Sequence, residues 1–190
     1  MALSSTVYHV EVELSDVDRS TYATLDLRLA RHPSESPRYL LTRTLAYCLS
    51  YEEGIAFSKG GLSASDEPPL AVWDPTGVMK AWIDVGAPSA KRLHKATKSA
   101  SRVALYSHVA LPLLVAEAAS ASVHRLDEIE VWPLDPAFVE SLAGKLERKC
   151  ALGVTRSDGV LYVTLGGQTF EAQVALARLT PGGGGQEGSA

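Results

Sequence analysis

The sequence predicts an α/β fold with a mixed central sheet and flanking helices. Residues 79–132 alternate strand, helix, strand, helix, strand, which is the pattern of parallel βαβ units. Residues 6–30 contain two alternating segments typical of an antiparallel hairpin, and residues 151–179 have the turn spacing of a three-strand meander. We expect the hairpin and the meander to join in an added antiparallel layer.

The composition favours one ordinary globular domain. The chain has 190 residues, of which 46% are hydrophobic and 21% charged, so a large core can form and disordered or fibrous classes are excluded. The net charge of −4 argues against non-specific coating of duplex DNA, so any contact with nucleic acid must rest on a local basic patch. Cys48 and Cys150 lie in core-forming segments, which predicts buried free thiols.

The N-terminal half contains a hairpin and a capped helix. In residues 6–14 and 22–30 apolar and polar side chains alternate, which predicts two half-buried strands around a turn at 15–20. Ser36 suits the N-cap of the first helix, and Pro37 suits its first position. The helix then carries an apolar stripe at helical spacing, formed by Leu41, Leu45, Cys48 and Leu49.

The later elements follow from the same kind of pattern. Asp74 to Gly77 fits a type I turn, which predicts a hairpin on either side of it. The further predicted elements are a short strand at 55–61, helices at about 88–100, 111–126 and 135–149, the last with Asp135 as its N-cap, and strands at 102–108 and 128–132.

These elements form a single predicted domain over residues 1–179. The glycine-rich segment 180–190 lacks core-forming residues and is predicted to be a disordered tail. No targeting signal is visible at the N-terminus, and no apolar run approaches the length of a membrane span. We therefore expect a cytoplasmic protein with no membrane association.

Two acidic positions flank the predicted hairpin. If Asp74 pairs with Gly77, Glu67 faces Asp84, and like charges directly opposed on neighbouring strands repel. A bound Mg²⁺ would resolve this repulsion, because hard cations prefer carboxylate oxygens. The two prolines that follow Glu67 could disturb the register, in which case Asp66 would take its place as a ligand.

A basic helix follows the second acid directly. Lys91, Lys95 and Lys98 lie at positions i, i+4 and i+7, which is one face of a helix. Lys91 lies in the first turn, from which it could reach back toward Asp84. A solvated face of lysines is the alternative interpretation.

Four segments together resemble the YaeQ family of bacterial proteins. They are RHPSE at 31–35, GLSASDEP at 61–68, WIDVG at 82–86 and KRLHKA at 91–96, and the resemblance runs from about residue 3 to residue 179. It implies a single YaeQ-like domain with a variant of the PD-(D/E)XK nuclease fold, whose central sheet is of the restriction-endonuclease-like type. It also implies an acidic site for Mg²⁺, with Mn²⁺ as a substitute, and phosphodiesterase chemistry.

The resemblance assigns metal ligands to the acidic positions. Asp66 or Glu67 would be the first acid of the family pattern, and Asp84 would be the acid of its second motif. Gly86 stands where that pattern has lysine, which is a departure from it.

The resemblance also assigns roles to neighbouring basic and polar residues. Lys91 or Lys95 would supply the missing positive charge to the catalytic centre from the helix. Glu35 could be a further acid of the site. Independently of the resemblance, Arg31, His32 and Glu35 form a dense polar group just before the first helix, and together with Arg92 they are the expected substrate contacts. A capping and ion-pair role for Arg31, His32 and Glu35 is the alternative interpretation.

The sequence supports two candidate functions. One is a Mg²⁺-dependent phosphodiesterase or nuclease-like protein acting on nucleic acid, in which the metal activates a water molecule and a lysine stabilises the developing charge. The alternative is a non-catalytic module that keeps the fold and binds nucleic acid or a protein. The clustered acids favour the enzyme, whereas the absence of lysine at position 86 favours the binding module.

Overall fold

The computed structural model describes residues 5–58 and 67–180 and contains two five-stranded mixed sheets and four α-helices. In chain order the first elements are β1 (Thr6–Asp16), β2 (Thr21–Arg31), α1 (Pro37–Leu49), β3 (Ile55–Phe57), β4 (Leu70–Trp73), β5 (Met79–Val85), α2 (Ala90–Ser99) and β6 (Arg102–Ser107). They are followed by α3 (Leu111–Ala118), a 3₁₀ turn (Leu126–Glu128), β7 (Glu130–Pro133), α4 (Pro136–Ala143), β8 (Lys149–Ser157), β9 (Val160–Leu165) and β10 (Gln168–Gln173).

The first sheet joins the N-terminal hairpin to the C-terminal meander, in the order β10-β9-β8-β1-β2. The predicted junction is confirmed, but the expectation of a purely antiparallel layer is wrong, because β1 pairs with β8 in parallel. After α4 the chain enters β8 beside the early part of β1, where the His9 N–H donates to the carbonyl of Arg148 over 2.7 Å. The two strands therefore run in the same direction.

The second sheet has the order β3-β4-β5-β6-β7. β3, β4 and β5 form an antiparallel meander, and β6 and β7 then add in parallel to β5. The crossover from β5 to β6 contains α2, and the crossover from β6 to β7 contains α3. The predicted βαβ core is confirmed, and the carboxyl ends of β5 and β6 lie at the same edge of the sheet.

The larger hydrophobic core includes buried residues of both sheets together with α1 and α4. The helix caps are as predicted, since the Ser36 hydroxyl accepts from the Tyr39 N–H and the Asp135 carboxylate from the Phe138 N–H. Leu45 of the predicted stripe is completely buried in this core. A second, smaller core on the other face of the second sheet packs α2 and α3 against it.

Two helices are shorter than predicted. The third helix ends at Ala118 instead of continuing to residue 126, because residues 119–122 are small and exposed and do not extend the buried stripe of Leu114 and Ala118. The fourth helix ends at Ala143, with Gly144 as its C-cap.

Two further features concern the cysteines and the tail. Both cysteines are free, and Cys48 is buried while Cys150 is half-buried. Leu179 is buried in the smaller core, and residues 181–190 of the predicted tail lie outside the described residues. Within the described chain, no helix has the length and apolar character needed to cross a membrane.

Candidate functional site

A groove of about 390 Å³ opens where β5 and β6 end, between the N-terminal turns of α1 and α2. In open α/β sheets, ligands bind outside the carboxyl ends of the strands, so the position itself marks a candidate site. The lining residues come from both helices, both strand ends and the segment before β4: Ser36, Tyr39, Arg43, Glu67, Pro69, Asp84, Val85, Gly86, Ala87, Pro88, Arg92, His108 and Val109.

Asp84 is the acid at the floor of this groove, and its side chain is almost fully buried. Its Oδ2 atom accepts from the Nε atom of Arg92 over 2.7 Å and from the indole N–H of Trp82 over 3.0 Å. Its Oδ1 atom accepts from the backbone N–H of Val85 over 3.2 Å. The carboxylate is therefore hydrogen-bonded through both oxygens and paired with a guanidinium group.

Arg92 is held from three sides. Besides the bond to Asp84, its Nη2 atom donates to the backbone carbonyl of Glu67 over 2.8 Å. Its guanidinium carbon lies 5.4 Å from the centre of the buried Trp82 ring, a cation–π distance. These contacts join α2, β5 and the segment before β4, and they fix a positive charge in the wall of the groove.

The predicted opposition of Glu67 and Asp84 is wrong. The type I turn is present, because the Gly77 N–H donates to the Asp74 carbonyl over 3.0 Å, but a register shift between Val72 and Trp73 changes the pairing of β4 with β5. Leu70 pairs with Ile83, so continuing this register brings Pro69 beside Asp84. The Glu67 carboxylate instead accepts from the Ser58 hydroxyl over 2.9 Å.

The lysines of α2 lie outside the groove. Lys91, Lys95 and Lys98 are exposed, and none of them lines the groove. The expectation that Lys91 reaches back to Asp84 is not met, because Arg92 makes that contact. Ser89 is the N-cap of α2, and its hydroxyl accepts from the Arg92 N–H.

The described residues do not complete a metal site. Over residues 5–58 and 67–180, no group of three or more His, Cys, Asp or Glu side chains is placed to hold a metal ion. Asp66, the other predicted first acid, lies outside the described residues. Glu67 and Asp84 both line the groove, but each carboxylate is engaged by protein donors.

A second ion pair lies at the start of α1. The carboxylate of Glu35 and the Nη2 atom of Arg43 are 3.0 Å apart, and both side chains are buried. Burial raises the pKa of Glu35, although the nearby Arg43 opposes this rise. Arg31 donates to the Glu35 backbone carbonyl, and the His32 N–H donates to its carboxylate. Arg31, His32 and Glu35 thus contact one another at the entry to α1 and are not among the residues that line the groove.

Three titratable residues of the groove are absent from the sequence-based prediction, namely Tyr39, Arg43 and His108. Tyr39 and Arg43 are one helical turn apart on α1, and Arg43 also donates to the carbonyl of Ala30. Burial, reinforced by Asp84, raises the pKa of the Tyr39 phenol, so this hydroxyl is a neutral donor at pH 7. Tyr39 and Arg43 lie in the first turns of a helix that faces the ends of the strands. This position is the signal that could have identified both residues.

His108 directly follows the last residue of β6, so it lies at the carboxyl end of a strand, where ligands bind in open α/β sheets. Its Nδ1 atom lies 3.0 Å from the Thr42 hydroxyl. Burial, aided by the positive charge of Arg38, lowers the pKa of His108, which keeps the imidazole neutral at pH 7. The polar groups of the groove are therefore two guanidinium groups, two carboxylates, a serine hydroxyl, a phenol and a neutral imidazole.

The chain is similar to proteins of one family along nearly its whole length. The family model described as YaeQ protein matches residues 1–174. Two relatives are described as "Uncharacterized protein YaeQ". The one from Salmonella typhi is 30% identical over 92% of this chain and 96% of the relative. The one from Escherichia coli K12 is 32% identical over 86% of this chain and 91% of the relative.

Two crystal structures of YaeQ proteins are similar to this fold. The protein from Pseudomonas syringae has a TM-score of 0.82 and 30% identity, over 90% of this chain and 95% of that protein. The protein from Xanthomonas axonopodis pv. citri has a TM-score of 0.82 and 30% identity, over 92% of this chain and 99% of that protein.

Proposed function

This chain belongs to the YaeQ family, and we propose that its groove binds the phosphate backbone of nucleic acid. The observation that carries this proposal is the guanidinium group of Arg92, which Asp84, Glu67 and Trp82 hold in place at the groove wall. A planar guanidinium matches the oxygens of a phosphate group, and an arginine that is already ordered loses little entropy when it binds.

Arg43 supports the same conclusion. It lines the groove, its side chain is buried, and its Nε atom has no hydrogen-bond partner among the described residues. This guanidinium adds positive charge to the groove wall, and the buried carboxylate of Glu35 holds it in place. With Arg92, it gives the groove two arginines on opposite helices.

The exposed lysines indicate a polymeric ligand. Lys91, Lys95 and Lys98 extend the positive charge of Arg92 along the surface of α2, beyond the limits of the groove. A single phosphate would not reach this surface, whereas a chain of phosphates would. Since the protein as a whole is acidic, we expect this local patch to give weak, salt-dependent binding.

Metal-dependent phosphodiester hydrolysis is the second candidate function. The observation that favours it is the presence of Glu67 and Asp84 in the lining of one groove. In this candidate Asp84 is a ligand of Mg²⁺ or Mn²⁺, and the bound cation supplies activation of water. The arginine already bound to Asp84 and the lack of a third ligand within the described ranges make it the weaker candidate.

Fluorescence anisotropy with a labelled single-stranded oligonucleotide tests the first function. We expect wild type to bind at 50 mM salt and to lose most of its affinity at 200 mM, because each phosphate contact displaces condensed counterions. Arg92→Lys should bind at least about tenfold more weakly, since lysine cannot form the bidentate contact. Arg28→Ala, on the exposed face of β2, is the matched control and should bind like wild type.

Two results would contradict the proposal. One is the absence of binding by wild type even at low salt. The other is equal affinity for wild type and Arg92→Lys when both have the same melting temperature.

A further inference from the structure

A second cavity lies beside the groove, at the outer end of the second sheet. It has a volume of about 440 Å³, is mostly apolar, and is called the apolar pocket here. Its lining residues are Ala56, Phe57, Ser58, Glu67, Pro68, Ala71, Trp73 and Met79. They belong to β3, β4, the segment before β4 and the start of β5.

The register of the strands brings two small side chains together in this pocket. Ala56 pairs with Ala71, and Trp73 pairs with Met79, so each pair shares one face of the sheet. The two alanines form a floor without bulky side chains, and the indole of Trp73 stands beside it. Trp73 is 40% exposed. A large exposed indole next to a small flat floor is suited to stacking against a planar ring.

Glu67 connects the apolar pocket to the groove. This residue lines both cavities. Its backbone carbonyl accepts from Arg92, which lines the groove, and its carboxylate accepts from Ser58, which lines the pocket. A ligand with a phosphate at Arg92 therefore needs to extend only past one residue to place a second group in the pocket.

We propose that the apolar pocket holds one unstacked base of a single-stranded nucleic acid whose neighbouring phosphate lies at Arg92. This inference rests on the proposed function and names the form of its ligand. Bases of single strands commonly stack on exposed aromatic side chains, which is possible only when the base is not paired within a duplex. The stacking partner in this pocket is Trp73.

The polar wall of the pocket also indicates which bases it prefers. The Glu67 carboxylate is an acceptor beside the space that the base occupies. Adenine and cytosine carry exocyclic amino groups that donate to such an acceptor, whereas thymine presents a carbonyl oxygen at the corresponding position. The pocket therefore prefers adenine or cytosine to thymine.

The experiment compares two labelled 12-mers with the same phosphates, one of deoxyadenosine and one fully abasic. Wild type should bind the base-bearing strand about 5- to 150-fold more tightly, the range that base–aromatic stacking gives. Trp73→Ala should remove this difference without changing affinity for the abasic strand. Trp73→Phe should keep most of it, because a ring is retained. Tyr162→Ala, at an exposed aromatic residue of the first sheet, is the control.

The outcomes separate this inference from the proposed function. If Trp73→Ala keeps the full preference for bases while Arg92→Lys weakens both strands, the base pocket is wrong and phosphate binding stands. A loss of affinity for the abasic strand in Trp73→Ala would also overturn the base pocket, since it would show an effect on the groove. If wild type binds neither strand, the proposed function fails and the inference fails with it.

A second arm tests the preference among bases. Wild type should bind the deoxyadenosine 12-mer more tightly than a thymidine 12-mer, and Glu67→Gln should reduce that ratio. An unchanged ratio in Glu67→Gln would show that its carboxylate does not contact the base.

Discussion

Arg92 and Asp84 form an ion pair in which the Nε atom of the arginine lies 2.7 Å from the Oδ2 atom of the aspartate. The pair connects the first turns of α2 to the end of β5, at the wall of the groove. The sequence pattern predicted that Asp84 is repelled by another acid, but the structure shows it attracted to a base. Under the predicted repulsion, neutralising Asp84 would stabilise the protein. Because the structure shows an attraction, neutralising Asp84 is expected to destabilise it.

Asp84→Asn should destabilise the protein. The change removes the negative charge that balances Arg92, whose side chain is only 21% exposed, and weakens the bonds from Trp82 and Val85. We expect a loss of about 1–3 kcal/mol in the free energy of unfolding, measured by urea denaturation. Asp26→Asn, at an exposed carboxylate, should change it by less than about 0.5 kcal/mol. A variant as stable as wild type would contradict the structural role of the pair.

Calorimetric titration of Mn²⁺ distinguishes the two candidate functions. Phosphate binding without a metal predicts no saturable heat at millimolar Mn²⁺, because Asp84 is already paired with Arg92. The metal-dependent function predicts a saturable heat in wild type that Asp84→Asn abolishes. Equal saturable heats from both proteins would place the metal elsewhere and remove Asp84 from the ligand set.

The lysines of α2 should determine the salt dependence of binding. Replacing Lys91 or Lys98 by alanine should lower the slope of log K against log salt by about 1 for each lysine that contacts a phosphate. Lys149→Ala, at an exposed lysine of the first sheet, should leave the slope unchanged. Unchanged slopes in both α2 variants would show that the nucleic acid does not follow this helix.

Leu45→Ala should destabilise the core between the two sheets. Leu45 is fully buried in α1, so its truncation leaves a cavity and should cost about 2–5 kcal/mol. Leu113→Ala, on the exposed face of α3, is the matched control and should cost less than about 0.5 kcal/mol. Guanidinium denaturation of both variants measures the difference. Similar losses for the two leucines would contradict the packing of α1.

Asp18 should contribute to stability only above acidic pH. The backbone N–H groups of Gly159 and Asp158, together with Arg156, lower the pKa of the Asp18 carboxyl. A lowered pKa in the folded state means that the contribution is present above the unfolded value of 3.8 and is lost as the pH falls through the folded value. The difference in unfolding free energy between wild type and Asp18→Asn should therefore be constant near neutral pH and shrink below about pH 4. A difference that does not depend on pH would contradict the charged role of Asp18.

Local signals in the sequence were sufficient to predict most of the helices and strands. Ser36 with Pro37, and Asp135 with Pro136, mark the starts of α1 and α4, because capping depends on adjacent residues only. The turn from Asp74 to Gly77 is local in the same sense.

The site depends on relations that no local signal contains. The register of β4 against β5 shifts between Val72 and Trp73, where Lys80 of β5 is the extra residue, and the partner of Asp84 moves away from Glu67. Arg92 and Lys91 are neighbours in sequence, but about 100° of helical rotation separates them. Burial of Leu93 fixes which of the two faces β5, and that burial is a property of the packed helix.

The parallel pairing of β1 with β8 has a consequence for how the chain folds during synthesis. Each strand of the second sheet pairs with the strand before or after it in the chain, so this sheet can assemble while the ribosome is still translating the meander. The hairpin of β1 and β2 emerges first, yet its inner edge must wait for the chain to reach Lys149 before it has a partner. Until then, the unpaired edge of β1 is open to other chains. The nascent protein is therefore expected to depend on chaperone protection during this interval.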